Sequence, residues 1–154
     1  MRGRYFATTS ACGWCHTATY PNSDPRAATD VIKRDQLFQG GRSIRALSQL
    51  GYQPTSIALV PPVATAMWNT AAITSSNITP DNDTGIGNYA LEDFRRALKE
   101  GKDIDGKFIC AGAHGDSTGP GAGLHDEDIV DLYNYFQAIT AVPRPEANTC
   151  EAFR

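Results

Sequence analysis

The sequence lacks a continuous apolar run of about 20 residues, so it contains no segment typical of a membrane-spanning helix. Its longest apolar tract, SIALVPPVATAMW at 56–68, is interrupted by two adjacent prolines. An excess of positive charge is also missing, because 14 Lys and Arg are outnumbered by 17 Asp and Glu. The resulting net charge of −3 argues against nucleic acid as a partner. No apolar signal region is visible at the amino terminus, and this absence does not indicate a cytosolic protein, because processed sequences lack such a region.

Regular periodicity is scarce, and no stretch alternates apolar and polar residues as a half-buried strand would. Helical spacing predicts a short helix over 2–11, a weak one over 42–50, a firmer one over 89–100 and the clearest one over 126–140. The 14 glycines and 9 prolines cluster outside these segments and imply long irregular loops. We therefore expect an all-α fold in one domain over 1–154, whose loops a large buried cofactor would organise.

The stretch ACGWCH at 11–16 places two thiols and an imidazole within five consecutive positions. A thioredoxin-like redox site requires a β-strand before Cys-x-x-Cys, whereas here a predicted helix precedes it. A zinc site needs a second Cys or His cluster at ligand spacing, and the remaining candidates are scattered. The pattern best fits covalent haem attachment, in which Cys12 and Cys15 form thioethers and His16 is the proximal iron ligand.

The other two cysteines, Cys110 and Cys150, lie far from this motif in loop-like sequence. In an oxidising compartment a disulfide between them is one interpretation, and two separate thiols are the other. A Cys110–Cys150 bridge would tie down the polar carboxyl-terminal tail at 141–154.

Four stretches of the sequence stand out together: RGRYFATTSACGWCHT (2–17), QGGR (39–42), SNITPDNDTGIGNYALEDFRRALKEGKDIDGK (76–107) and LHDEDIVDLYNYFQAI (124–139). They resemble the class I-like c-type cytochromes that are electron-transfer subunits of bacterial membrane-bound alcohol, aldehyde and related dehydrogenases. Within them, NITPDNDTGIG is especially specific. The pieces cover a little under half of the chain.

The resemblance implies a single all-α cytochrome c domain with one haem c, bound through Cys12 and Cys15, with His16 on the iron. It also implies that the first and last helices pack across one another. In such a crossing, Gly3 would allow close approach to the aromatic rings of Tyr133 and Phe136.

The sequence departs from the family in the segment that usually carries the sixth iron ligand, a methionine. The corresponding stretch, KFICAGAHGDSTGPGAG at 107–123, contains no methionine but does contain His114. Four assignments stay open: His114, Met67 from the expanded 43–75 segment, His125, or a position that is vacant or holds water. His114 is favoured because its position matches the expected ligand segment, whereas His125 occupies the usual N-cap position of the last helix.

A bis-imidazole haem would have a lower reduction potential than a His/Met haem. We therefore expect a single-electron carrier rather than an enzyme, located in the periplasm or outside the cell. Its redox partner would be a dehydrogenase, another cytochrome or an oxidase, and haem-to-haem transfer within a homo-oligomer is a further hypothesis.

Arg42 in QGGR is a candidate for pairing with a haem propionate, with a solvated loop arginine as the alternative. The alternative function is a haem enzyme or small-ligand-binding protein with an open sixth iron position.

Overall fold

The computed structural model describes six elements of secondary structure in the parts of the chain that it places. These parts are residues 2–9, 12–18, 37–41, 43–44, 73–107, 109, 121 and 123–144. The elements, in chain order, are helices α1 (Arg2–Thr9) and α2 (Cys12–Cys15), strands β1 (Ser43–Ile44) and β2 (Ile73–Thr74), and helices α3 (Leu91–Glu100) and α4 (Asp126–Ala138). Within these ranges no helix is long and apolar enough to cross a membrane.

Three of the predicted helices are present with modest changes at their ends. The predicted helix over 2–11 ends at Thr9, and Cys12 begins a separate short helix, so the cysteine motif has a helical turn of its own. Helix α3 ends where predicted, because Gly101 adopts the left-handed conformation (φ 65°) that terminates helices. Helices therefore make up most of the regular secondary structure in the described residues.

The helix predicted over 42–50 is wrong at its start. Ser43 and Ile44 form β1, which pairs antiparallel with β2 in the register Ser43 to Thr74 and Ile44 to Ile73. Isoleucine and threonine favour extended backbone, and pairing with a distant segment outweighs a weak local helical pattern. Residues 45–50 lie outside the described part of the chain.

The core lies between α1, α3 and α4. Helix α1 packs across α4, as the resemblance implies. The ring of Phe136 lies 5.1 Å from that of Phe38 and 6.0 Å from that of Phe94, centroid to centroid. The buried apolar residues are Ala7, Phe38, Ile86, Phe94, Ile129, Leu132 and Phe136.

Gly3 is the closest point of the helix crossing. A Cβ atom built there would collide with the backbone carbonyl of Asp131 and would lie 2.8 Å from Cβ of Tyr135. The predicted close approach is confirmed, but the partner is the α4 backbone and Tyr135 rather than the rings of Tyr133 and Phe136. Only a residue without a side chain lets two helical backbones come this near.

An ion pair joins the first turns of the crossing helices. The guanidinium of Arg2 lies 2.7 Å from Asp128 Oδ1 and 3.0 Å from Asp131 Oδ2. Asp128 also accepts a hydrogen bond from the backbone N–H of His125 at 3.1 Å. His125 therefore occupies the N-cap position predicted for it. The hydrogen bond at this cap runs from the His125 N–H to the Asp128 carboxylate, which accepts it.

Candidate functional site

The cysteine motif forms one compact helical turn followed directly by the histidine. Cys12 and Cys15 are the first and last residues of α2, and residues three apart lie on the same face of a helix. The backbone N–H of His16 donates to the carbonyl of Cys12 at 2.8 Å and continues the turn. No disulfide joins the two thiols. Two sulfurs and an imidazole are thus presented from one short segment.

The imidazole of His16 is held by a backbone carbonyl from a distant loop. Its Nδ1 lies 2.8 Å from the carbonyl oxygen of Ser76. Because a carbonyl oxygen can only accept, we assign the proton to Nδ1, which places the lone pair on Nε2. Burial lowers the pKa of His16, and the hydrogen bond to Ser76 partly opposes this shift. A neutral ring with Nε2 as the basic nitrogen is the form in which histidine binds metals.

The thiol of Cys12 has the opposite character from the reactive thiol of a redox-active Cys-x-x-Cys motif. Burial, followed by the neighbouring Cys15, raises the pKa of Cys12 to about 11. Thioredoxin-like sites depend on a thiol whose pKa is lowered towards or below neutrality. The thioredoxin interpretation therefore fits this site poorly. In the placed parts of the chain, no group of three or more His, Cys, Asp or Glu side chains is arranged to hold a metal ion.

The QGGR turn lies between the cysteine motif and the loop that carries Ser76. The N–H of Gly40 donates to the carbonyl of His16, and the N–H of Gly41 donates to the carbonyl of Ser75, both at 2.8 Å. Gly40 has a left-handed backbone (φ 74°), and a Cβ atom there would collide with Ser76 and lie 2.6 Å from the backbone nitrogen of Asn77. Glycine is thus required at position 40 both by conformation and by the closeness of the carbonyl that holds His16.

Phe38 links this turn to the core. It is 2 % exposed and has a left-handed backbone (φ 65°), which is uncommon for a residue with a side chain. Its N–H donates to Thr17 Oγ1 at 3.2 Å, and its carbonyl accepts from the N–H of Ile78 at 2.9 Å. Surrounding contacts therefore hold a backbone conformation that no sequence pattern predicted, and they attach this residue to both the cysteine motif and the loop that carries Ser76.

Asn77 anchors the loop immediately after Ser76. Its buried side chain donates to the carbonyl of Val142 at 2.7 Å and to Thr84 Oγ1 at 3.1 Å. Its Oδ1 accepts from the N–H of Thr79 at 2.9 Å. Sequence reasoning used NITPDNDTGIG only as a mark of resemblance and missed this role. The signal was the density of Asn, Thr and Asp, residues that bond to nearby backbone groups.

Several sequence-predicted residues have no described placement. Arg42, Met67, His114, Cys110 and Cys150 all lie outside the described residues, so their predicted roles stay predictions.

The structure describes one of the candidates for the sixth iron ligand, His125, and one arginine beside the QGGR sequence, Arg144. His125 lines a cavity of about 570 Å³ together with Arg2, Leu124 and the acidic first turn of α4. The sequence did not single out Arg144. Its guanidinium lies so close to Gly41 that a Cβ atom added to this glycine would collide with it.

Comparison with known proteins gives three cytochrome subunits of bacterial dehydrogenases. The gluconate 2-dehydrogenase cytochrome c subunit of Pantoea cypripedii is 35 % identical over 82 % of this chain and 27 % of its own length. The alcohol dehydrogenase (quinone) cytochrome c subunit of Gluconobacter oxydans is 33 % identical over 88 % of this chain and 20 % of its own length. The fructose dehydrogenase cytochrome subunit of Gluconobacter japonicus is 31 % identical over 96 % of this chain and 23 % of its own length.

The chain thus spans about a fifth to a quarter of the length of these curated relatives. No protein-family model matches it. The resemblance found in the sequence is confirmed by the three relatives.

Proposed function

We propose that this chain, which is similar to the cytochrome c subunits of bacterial dehydrogenases, is a single domain that carries electrons one at a time through one haem c. The observation that carries the proposal is the His16 ring, held through Nδ1 by the Ser76 carbonyl and directly following two thiols on one helical turn. A fixed neutral imidazole beside two thiols suits a covalently attached haem whose iron His16 would bind.

The residues of the motif have distinct tasks in this proposal. Cys12 and Cys15 would hold the haem through two thioether bonds. Ser76 keeps the proton of His16 on Nδ1 and orients the ring, and its hydrogen bond raises the basicity of Nε2. When bound, the haem iron supplies one-electron chemistry by cycling between its ferric and ferrous states.

For the sixth iron ligand we propose His114. Support comes from the residues on either side of the segment that contains it. The N–H of Ile109 donates to the carbonyl of Gly101 at 2.8 Å, and Lys99 Nζ donates to the carbonyl of Leu124 at 2.5 Å. The two ends of the segment are therefore both attached to the carboxyl end of α3. This is also the segment in which the family carries its ligand.

The haem proposal is tested by expressing the chain in a host with a cytochrome maturation system. We expect a mass increase of one haem and a covalent haem stain on a denaturing gel. A Cys12→Ala/Cys15→Ala variant should lose both signals, because the thioethers have no sulfur. A Cys110→Ala/Cys150→Ala variant is the matched control and should keep them. A colourless wild-type protein of unmodified mass would refute the proposal.

The ligand proposal is tested by magnetic circular dichroism in the near infrared, which separates His/His from His/Met ligation. His114→Ala should convert the low-spin iron to high spin, whereas His125→Ala, the control, should leave the spectrum unchanged. A spectrum that responds to Met67→Leu instead would transfer the assignment to Met67. Prompt carbon monoxide binding by the wild-type protein would instead favour an open site that binds small ligands or reacts with peroxide.

We further propose that the domain works outside the cytoplasm, with a dehydrogenase, another cytochrome or an oxidase as redox partner. The support is that all three relatives are named as subunits of dehydrogenases. Arg42, the last residue of the QGGR sequence, is proposed to pair with a haem propionate. Cys110 and Cys150 are proposed to form a disulfide. Contact between copies, with haem-to-haem transfer, predicts a concentration-dependent mass in analytical ultracentrifugation; a strict monomer at high concentration would contradict it.

A further inference from the structure

The residues that follow α4 form a strap across the loop that holds His16. The N–H of Val142 donates to Thr79 Oγ1 at 3.1 Å, and its carbonyl accepts from Asn77 at 2.7 Å. Two residues later, the N–H of Arg144 donates to Thr84 Oγ1 at 2.8 Å. Thr84 is itself fixed by a 2.7 Å hydrogen bond to Asp81. The backbone of this strap is therefore attached at both ends to the 77–84 loop.

The strap delivers the side chain of Arg144 to the QGGR turn. Its guanidinium occupies the space beside Gly41, where an added Cβ atom would collide with the guanidinium and lie 2.7 Å from Nε. Gly41 in turn donates its N–H to Ser75, and the next carbonyl along the chain, that of Ser76, accepts from His16. A half-buried cation is thus separated from the His16 hydrogen bond by a short series of direct contacts.

We infer that Arg144 is the source of a positive charge, on the His16 side of the site, that favours the reduced form of the bound haem. The inference rests on the proposed function. Reduction of the iron adds one negative charge, and a nearby cation that is partly shielded from solvent stabilises that charge. Arg144 therefore sets the reduction potential without touching the iron ligands.

Loss of the positive charge and loosening of the strap shift the reduction potential in opposite directions, so the two effects can be separated. Loss of the cation lowers the reduction potential. A loosened strap alone would weaken the Ser76 hydrogen bond, make His16 a less basic ligand and thereby raise the potential or leave it unchanged. A structural role that acts only through the Ser76 hydrogen bond consequently does not imitate the expected result, and the salt dependence of the shift identifies the charge.

The test is spectroelectrochemical titration of the haem-loaded full chain and its variants at low salt. Arg144→Gln should shift the midpoint potential downward, and the shift should shrink as salt is added. Arg144→Lys should keep most of the wild-type value. Thr84→Val removes a hydrogen bond of the strap without changing charge and should not lower the potential. Arg4→Gln, at an exposed position on α1, matches the charge change and should have a smaller effect.

Arg144→His provides a second route if Arg144→Gln does not fold. Its side chain loses a charge between about pH 5 and 8, so its potential should fall over that range more steeply than that of the wild type. Identical pH profiles, or equal shifts for Arg144→Gln and Arg4→Gln, would overturn the inference while covalent haem still supported the proposed function. Wild-type protein without covalent haem would overturn both.

Discussion

The helix crossing and the surroundings of His16 are held together by different forces. At the crossing, α1 and α4 meet through a glycine, an ion pair and a cluster of buried aromatic rings. Around His16, three distant segments meet through hydrogen bonds to backbone carbonyls: Gly40 donates to His16, Gly41 donates to Ser75, and Nδ1 of His16 donates to Ser76. Packing gives the crossing most of its stability, whereas hydrogen bonds give the site its geometry. Perturbing the first should mainly affect folding, and perturbing the second should mainly affect the ligand.

The largest effect is expected from Phe136→Ala at the centre of the crossing. Phe136 is 1 % exposed and contacts the rings of Phe38 and Phe94, so truncation leaves a cavity. The expected loss in the free energy of unfolding is about 3–5 kcal/mol, measured by denaturant titration of the purified protein. Tyr5→Ala, at a side chain that is 64 % exposed, is the control. Equal losses would mean that the crossing is not the core.

Gly3→Ala should be the next most damaging change. The added methyl group meets the backbone carbonyl of Asp131, which cannot move without shifting the helix. We expect a loss of about 1–3 kcal/mol in the free energy of unfolding, because the helices must separate. Gly123→Ala is the matched control, since nothing lies within 4 Å of a Cβ atom there. Similar melting temperatures for the two variants would contradict the close approach.

Gly40→Ala tests the second region. The left-handed backbone should cost alanine about 1–2 kcal/mol, and the methyl group should also displace the Ser76 carbonyl. Gly106→Ala is the control that carries the backbone cost alone, because Gly106 has a similar φ of 78° but nothing within 4 Å of an added Cβ atom. The difference between the two variants therefore measures the displacement of Ser76. Only Gly40→Ala should change the NMR signal of the His16 Nδ1 proton. An unchanged signal would mean that Ser76 is not held by this glycine.

The smallest effect is expected at the ion pair, and it depends on pH. The hydrogen bond from Arg2 lowers the pKa of Asp128 below its ordinary value of 3.8. The stabilisation is therefore complete above the unfolded value of 3.8 and is lost as pH falls through the lower native pKa.

Asp128→Asn should accordingly be less stable than the wild type at pH 7, with the difference vanishing in acid. The effect should be small because Arg2 is 55 % exposed and solvent screens the pair. Thermal melts across pH measure it, with Glu127→Gln as the control from the same helical turn. A stability difference that persists below the native pKa would contradict the linkage.

The sequence-based predictions were correct where apolar side chains recur at helical spacing, and they failed where the structure depends on backbone hydrogen bonds between distant residues. The 126–140 periodicity predicted α4 because buried residues recur every three or four positions along a helix. The 42–50 prediction failed because β1 depends on pairing with β2, which no local pattern announces. For the site, Cys12, Cys15 and His16 were visible as a motif, but Ser76 was not, because any residue can offer a carbonyl oxygen.

The sequence alone determined the kind of chemistry to look for, because the two thiols and the imidazole are side chains whose identity and spacing are visible in the sequence. It also determined the helices whose apolar faces recur with the helical period. Only the tertiary structure decided which carbonyl holds the ring, why position 40 is glycine and where Arg144 lies. Those contacts join residues up to about a hundred positions apart, and one partner in each is a backbone group of a kind that every residue has. Their pairing is set by how the whole chain folds rather than by any local pattern.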